Sequence, residues 1–413
     1  MDSFIDYYEY ISDNKTRIKS KLGYYYHFGK GDINRKVIGH KRAFFEPIVE
    51  SCFQGNLGYC DPAGRKSTRE LISRYEALNR NCVDLSYKNI ALTLGATNAI
   101  YGALSGALVN NRSKKIIVFT PCYTYVEAIR SLGYEVKFID ICNTEEACIQ
   151  LNRSENADCA AVFLANPIFP IGKQVDPLLI TEIKKLSELN NFYLFIDEVY
   201  SDMWLNKQKV VNFYTKNTVI IRSFSKEFGI PGLRCGYVLG PEELINNIRR
   251  KNEYVFGTPI VLFEVLIDLI VFWKLCIVSG SVPTRNKFFG CDFGLEKKQL
   301  EIIKKIDLDG FFNTCESFTI ELLATLRDGL IESNDILDSC NTLEFIEPDC
   351  GFNAVVKNKT SKTYKDIFNS TGVVLTPCEL FNLPNHFRFT FGDSAESISK
   401  AWKRVVEYLE KTP

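Results

Sequence analysis

Lys226 stands in the run S-F-S-K-E-F-G-I-P-G-L-R-C-G-Y, from Ser223 to Tyr237, directly after the apolar stretch Val219 to Arg222. That stretch reads as a strand, and a lysine just past a strand end among apolar neighbours is partly desolvated. Its amine then loses basicity and becomes a nucleophile toward carbonyls. Ile196-Asp197-Glu198-Val199-Tyr200 closes another apolar run, YLFI, where a buried carboxylate is costly unless paired. Leu94-Gly95-Ala96-Thr97-Asn98-Ala99 sets small residues ahead of free helix N–H groups, a cradle for a phosphate assisted by the helix dipole. Arg388, in His386-Phe-Arg-Phe-Thr-Phe, lies on an alternating strand among aromatic residues, where an unpaired guanidinium needs an anion. Each segment also has a plainer explanation on its own: a lysine in a turn, an aspartate capping a helix, a tight strand-to-helix turn, a structural salt bridge.

Taken in order, the segments are more specific. S-x-x-K followed by G-x-P-G-x-R-x-G closely resembles the Schiff-base segment of fold-type I pyridoxal phosphate enzymes, the class I/II aminotransferases. The resemblance implies that Lys226 forms an aldimine with pyridoxal 5'-phosphate and that Ser223 and Arg234 bind its phosphate, a guanidinium fork suiting phosphate oxygens. Gly95, Ala96 and Thr97 would hold the same phosphate. Asp197 would pair with the pyridinium nitrogen and keep the cofactor an electron sink, while Tyr200 would hydrogen-bond its phenolic oxygen. Asn166, in Asn166-Pro-Ile-Phe-Pro-Ile-Gly172, resembles the family's asparagine near that oxygen and is also carried over as a substrate contact. Tyr123, in Pro121-Cys-Tyr, matches the aromatic residue that stacks on the pyridine face.

Three further matches concern substrate and assembly. Arg388 would form a bidentate pair with the substrate α-carboxylate. Gly31, in Phe28-Gly-Lys-Gly-Asp32, is similar to the N-terminal stretch lining the substrate side. Tyr59, in Tyr59-Cys-Asp-Pro-Ala-Gly64, resembles the tyrosine that reaches the phosphate of the neighbouring subunit, which implies a homodimer with shared active sites. The pattern is broken in places: Lys30 stands where an aliphatic residue is usual, Ile168, Phe169 and Ile171 replace polar residues, and residues 279–310 have no counterpart. Lys30 most simply faces solvent; turned inward, it would imply an acidic or otherwise polar substrate side chain. The implied activity is transfer of an amino group between an amino acid and a 2-oxo acid. A lyase or cyclase built on the same machinery, and a regulator that binds the cofactor without turnover, stay open.

The elements that must position these residues follow an α/β rhythm. Short apolar runs from Asn89 to Leu239 alternate with helical patterns, and runs such as IIVF are apolar at successive positions, as in strands covered on both faces. The expectation is a large domain with a mostly parallel sheet between helices, plus a smaller α+β domain. The boundaries read as 1–45, an N-terminal segment packing with the small domain, 46–305, the cofactor-binding domain, and 306–413, the small domain. One helical stretch is expected from Glu296 to Ser333. Open α/β sheets place ligands beyond the carboxyl ends of strands, where most of the segments above fall.

Composition narrows the partners to small molecules. Fifty basic and fifty acidic residues give no electrostatic footprint for nucleic acid or an anionic membrane. The most membrane-like stretch, Pro259 to Val278, carries Glu264, Asp268 and Lys274, each costing about 2.5 to 3.5 kcal/mol at a bilayer centre, so a buried helix is expected. The fourteen cysteines contain no C-x-x-C pair and the three histidines are far apart, so no metal site is expected. The polar start MDSFIDYYEYISDNK lacks a signal-peptide core, which points to the cytoplasm and reduced thiols. Cys60, Cys122, Cys235 and Cys378, inside the motifs, read as small buried fillers.

Overall fold

Seven of the apolar runs come together in one sheet of the computed structural model, which describes residues 3–82, 84–107, 113–123, 125–205 and 212–411. Its strands are β1 (Ile90–Leu94), β2 (Lys115–Thr120), β3 (Glu135–Asp140), β4 (Ala161–Ala165), β5 (Tyr193–Asp197), β6 (Thr218–Ser223) and β7 (Cys235–Leu239). They lie in the order β1-β7-β6-β5-β4-β2-β3, and β7 alone runs against the others. Alternate residues feed two cores: β4 sends Val162 and Leu164 to one and Ala161 and Phe163 to the other. Helices cover both faces, which is why the runs are apolar without alternation. The architecture is the expected α/β one.

A second sheet holds Arg388. Its strands β8 (Leu343–Ile346), β9 (Asn353–Asn358), β10 (Thr376–Pro377) and β11 (His386–Thr390) are antiparallel in the order β10-β11-β9-β8. The start of the chain joins this part of the molecule. Tyr26–His27 pairs in parallel with Val373–Val374. The helix Phe4–Leu22, opened by a Ser3–Asp6 capping box, is tied down by the buried Tyr7, whose hydroxyl lies 3.3 Å from Thr376 Oγ1.

Two expectations need correction. The helical stretch from Glu296 to Ser333 is two helices, Lys297–Ile303 and Leu308–Leu337, because Asp307 accepts from the Gly310 N–H at 3.1 Å and starts the second. Cys60 is not a buried filler: it is partly exposed, with its thiol 3.5 Å from Glu264 Oε1, whereas Cys122, Cys235 and Cys378 are buried. All fourteen cysteines are unpaired, and no group of potential metal ligands gathers among the described residues. Pro259 to Val278 contains the buried helix Glu264–Val278, and among the described residues no helix is long and apolar enough to cross a membrane.

Candidate active site

One edge of the large sheet collects the segments singled out by their chemistry. β1 leads to Gly95, β2 to Tyr123, β4 to Asn166, β5 to Asp197 and Tyr200, and β6 to Ser223 and Lys226. Because β7 is reversed, its beginning lies at the same edge and delivers Arg234. Arg388 comes from β11 on the second sheet. A cavity of about 590 Å³ is lined by Gly31, Ala96, Thr97, Tyr123, Asp197, Tyr200, Ser223, Lys226, Arg234 and Arg388.

Lys226 is held at the floor of this cavity by a hydrogen bond from Nζ to the Gly31 carbonyl at 2.5 Å. Burial and then the charge of Arg388 bring its pKa down to about 8, against the pull of Asp32 and Asp197. Burial has the opposite effect on Asp197, raising its carboxyl to about 6, although the Val199 N–H donates to it at 3.1 Å. The Tyr200 hydroxyl accepts from Asn353 Nδ2 at 3.0 Å, and burial raises its pKa. Arg388 donates from Nη2 to Gly29 O at 2.6 Å and Thr376 Oγ1 at 3.0 Å, while its buried Nε has no partner among the described residues.

Arg234 adds a further cation to the lining. Arg234 adopts a left-handed φ of 55° and donates to Leu94 O at 3.2 Å. Gly95, at φ 76°, fits beneath it: a methyl group there would lie 2.7 Å from Arg234 Nη2. With the Ser223 hydroxyl and the first turn of helix Gly95–Ala107, these residues gather donors of the kind an anion needs into one corner.

Not every expected residue joins the lining: Gly95 is buried beneath Arg234. Asn166 is fully buried beside the lining, its Oδ1 accepting from Val175 N at 3.1 Å and its Nδ2 without a partner among the described residues. Tyr59 is 92% exposed and borders a different cavity, with Arg65, Arg69 and Arg249. Lys30 is exposed and absent from the lining. Sequence reasoning missed Phe4, Ile5 and Tyr8 of the N-terminal helix, which do line the cavity. It also missed a buried charge network behind the floor. Glu198, next to Asp197, is bridged by Arg80 at 2.5 Å, and Glu227, next to Lys226, is held by Lys274 at 2.7 Å. Arg222 ties the two halves through Glu198 at 3.5 Å and Asp202 at 2.7 Å. The doublets Asp197-Glu198 and Lys226-Glu227 were the available signal.

The sequence model of aminotransferase class I and II matches residues 30–267, more than half of the chain and nearly all of the cavity floor. The chain belongs to the class I and II aminotransferase family. The aspartate aminotransferase of Sulfurisphaera tokodaii is 26% identical over 230 residues, covering 52% of this chain and 55% of that enzyme, so this match spans about half the relative's length. The aspartate aminotransferase of Thermotoga maritima is 21% identical over 378 residues, 88% of each chain. In three dimensions a double mutant of Thermus thermophilus aspartate aminotransferase superposes with a TM-score of 0.77 at 17% identity, covering 97% of this chain and 95% of that one, a likeness of fold.

Class I and II aminotransferases imply pyridoxal phosphate, and the cavity fits that group. The corner at Arg234 and Ser223, with Gly95 packed beneath Arg234, suits a phosphate, and the desolvated Asp197 suits a protonated ring nitrogen. The orphaned Asn166 amide beside the lining is a donor waiting for an acceptor. Lys226 offers an amine of lowered basicity in the same cavity.

Proposed function

We propose that the chain is a pyridoxal phosphate-dependent aminotransferase that moves an amino group between an amino acid and a 2-oxo acid. One observation carries this reading. A methyl group placed on Gly31 would lie 3.5 Å from Lys226 Nζ and 4.0 Å from Arg388 Nη1. A weakly basic amine and a carboxylate-binding guanidinium that close together match the two polar ends of an α-amino acid.

Gly95, Ala96, Thr97, Ser223 and Arg234 would hold the cofactor's phosphate, Asp197 its ring nitrogen, Tyr200 and Asn166 its phenolic oxygen, with Tyr123 against its ring face. When bound, the cofactor supplies an electron sink for the charge left as the α-proton departs. The chain does the rest. Arg388 anchors the α-carboxylate by a charge-assisted pair and fixes which Cα bond faces Lys226. Lys226 Nζ takes the α-proton and returns it, its pKa of about 8 keeping both protonation states accessible near neutral pH. Gly31 keeps the space between the two cations clear. In the same reading residues 46–305 form the cofactor-binding domain and residues 1–45 with 306–413 the smaller one. The exposed Tyr59 serves the phosphate site of a second subunit in a homodimer, and the cytoplasm is the setting, where fourteen free thiols persist.

The test is stoichiometric. Holoenzyme given an amino acid and a 2-oxo acid should pass the amino group between them without releasing ammonia, and Lys226→Ala should abolish the transfer. Release of ammonia or of a ring product in place of transfer refutes it.

A further inference from the structure

The N-terminal helix closes the cavity on the side of Arg388, and the character of that wall is uniform. Phe4 packs against Phe381 at 5.4 Å and faces Tyr123 at 6.3 Å, and Phe169 completes the cluster at 5.0 Å from Phe381 and 5.7 Å from Tyr123. The Arg388 guanidinium lies over the Phe169 and Phe381 rings at 5.9 and 5.4 Å. Ile5 and Tyr8 line the same cavity but keep 69% and 48% of their surface exposed, apolar area that nothing in the chain covers. Besides Lys226, Arg234 and Arg388, no described lining residue is cationic, and the acidic members are Asp197 on the cofactor side and Glu127, which Arg130 engages at 3.2 Å.

Resting on the aminotransferase reading, we infer that this wall selects amino acids with aromatic or large aliphatic side chains and disfavours acidic ones. A side chain projecting from a substrate held by Arg388 meets Phe4, Ile5, Tyr8, Tyr123 and Phe169. A phenyl or isobutyl group buries apolar surface there, a gain of roughly 10- to 100-fold in affinity for a fully buried ring. A second carboxylate loses water there and finds no cation beyond Lys226, Arg234 and Arg388 among the described lining residues. The exposed Lys30 does not supply the missing charge.

Two measurements on the holoenzyme test the assignment. The first is single-turnover spectral conversion by phenylalanine, leucine or aspartate alone, so that the acceptor acid plays no part. The second is equilibrium binding of 3-phenylpropionate and succinate, which needs no turnover. Phenylalanine and leucine should convert at least ~10-fold more efficiently than aspartate, and 3-phenylpropionate should bind at least ~10-fold more tightly than succinate. Ile5→Lys, at an exposed position where folding is not at stake, should shift both ratios toward the acid by ~10-fold, and Phe4→Ala should lower the phenylalanine rate. Preference for aspartate and succinate, or ratios indifferent to Ile5→Lys, overturns the inference. Tight 3-phenylpropionate binding with no amino acid converted refutes the aminotransferase reading and leaves the wall's selectivity standing.

Discussion

In the proposed reaction Arg388 and Lys226 divide the work at the residue scale, and each makes a separable prediction. Arg388→Lys keeps the charge and loses the planar fork, so KM for the amino acid should rise about 10- to 100-fold with a smaller change in kcat, checked by steady-state kinetics and by monocarboxylate affinity. For Lys226 the sign follows from which form reacts. The neutral amine is the nucleophile, so uptake of pyridoxal phosphate by the cofactor-free protein should accelerate as pH rises and level off above a midpoint of about 8. An undisturbed lysine would place that midpoint at about 10.4, so a pH–rate profile of cofactor binding decides whether the cavity floor desolvates the amine.

At the scale of elements, what was legible in the sequence divides cleanly from what was not. Lys226, Asp197, Thr97 and Tyr123 could be singled out because each ends or closely follows its own strand, so a local apolar run points to the cavity edge beyond it. The seat of the N-terminal helix could not be read this way. Residues 3–8 carry an ordinary capping box and apolar spacing, but their partners, Tyr123, Thr376 and Phe381, lie more than a hundred residues away, and no local pattern names a distant neighbour. The break at Asp307 was hidden for a different reason: apolar residues flank it on both sides, and the cap that restarts the helix is one side chain. The reversed strand β7 imposes its own demand. A methyl group on Gly236 would lie 2.7 Å from Arg222 O and 3.1 Å from the Gly95 backbone, neither of which can yield as a side chain would. Gly236→Ala should therefore cost about 1–3 kcal/mol and weaken cofactor binding together with stability, read from urea midpoints with and without pyridoxal phosphate.

Across the whole molecule, the buried charges behind the floor tie the helix Lys66–Arg80, strands β5 and β6 and the helix Glu264–Val278 into one body. Arg80 holds both Glu76 at 2.7 Å and Glu198 at 2.5 Å, so Arg80→Ala leaves two buried carboxylates short of a partner. Its expected cost is about 3–5 kcal/mol, measured by denaturant unfolding, whereas a surface change such as Lys297→Ala should cost almost nothing. The tie between Tyr7, Thr376 and Arg388 bears on a different moment in the protein's life. During synthesis the chain emerges amino end first, and Phe4, Tyr7 and Ile11 wait without the surfaces that bury them until the strand bearing Arg388 has left the ribosome. The proposed phosphate corner can form early, from residues 95 to 234. The proposed carboxylate anchor arrives well after Arg234, so a nascent chain would be able to hold a cofactor before it could hold a substrate, with the buried face of the helix Phe4–Leu22 uncovered in the meantime.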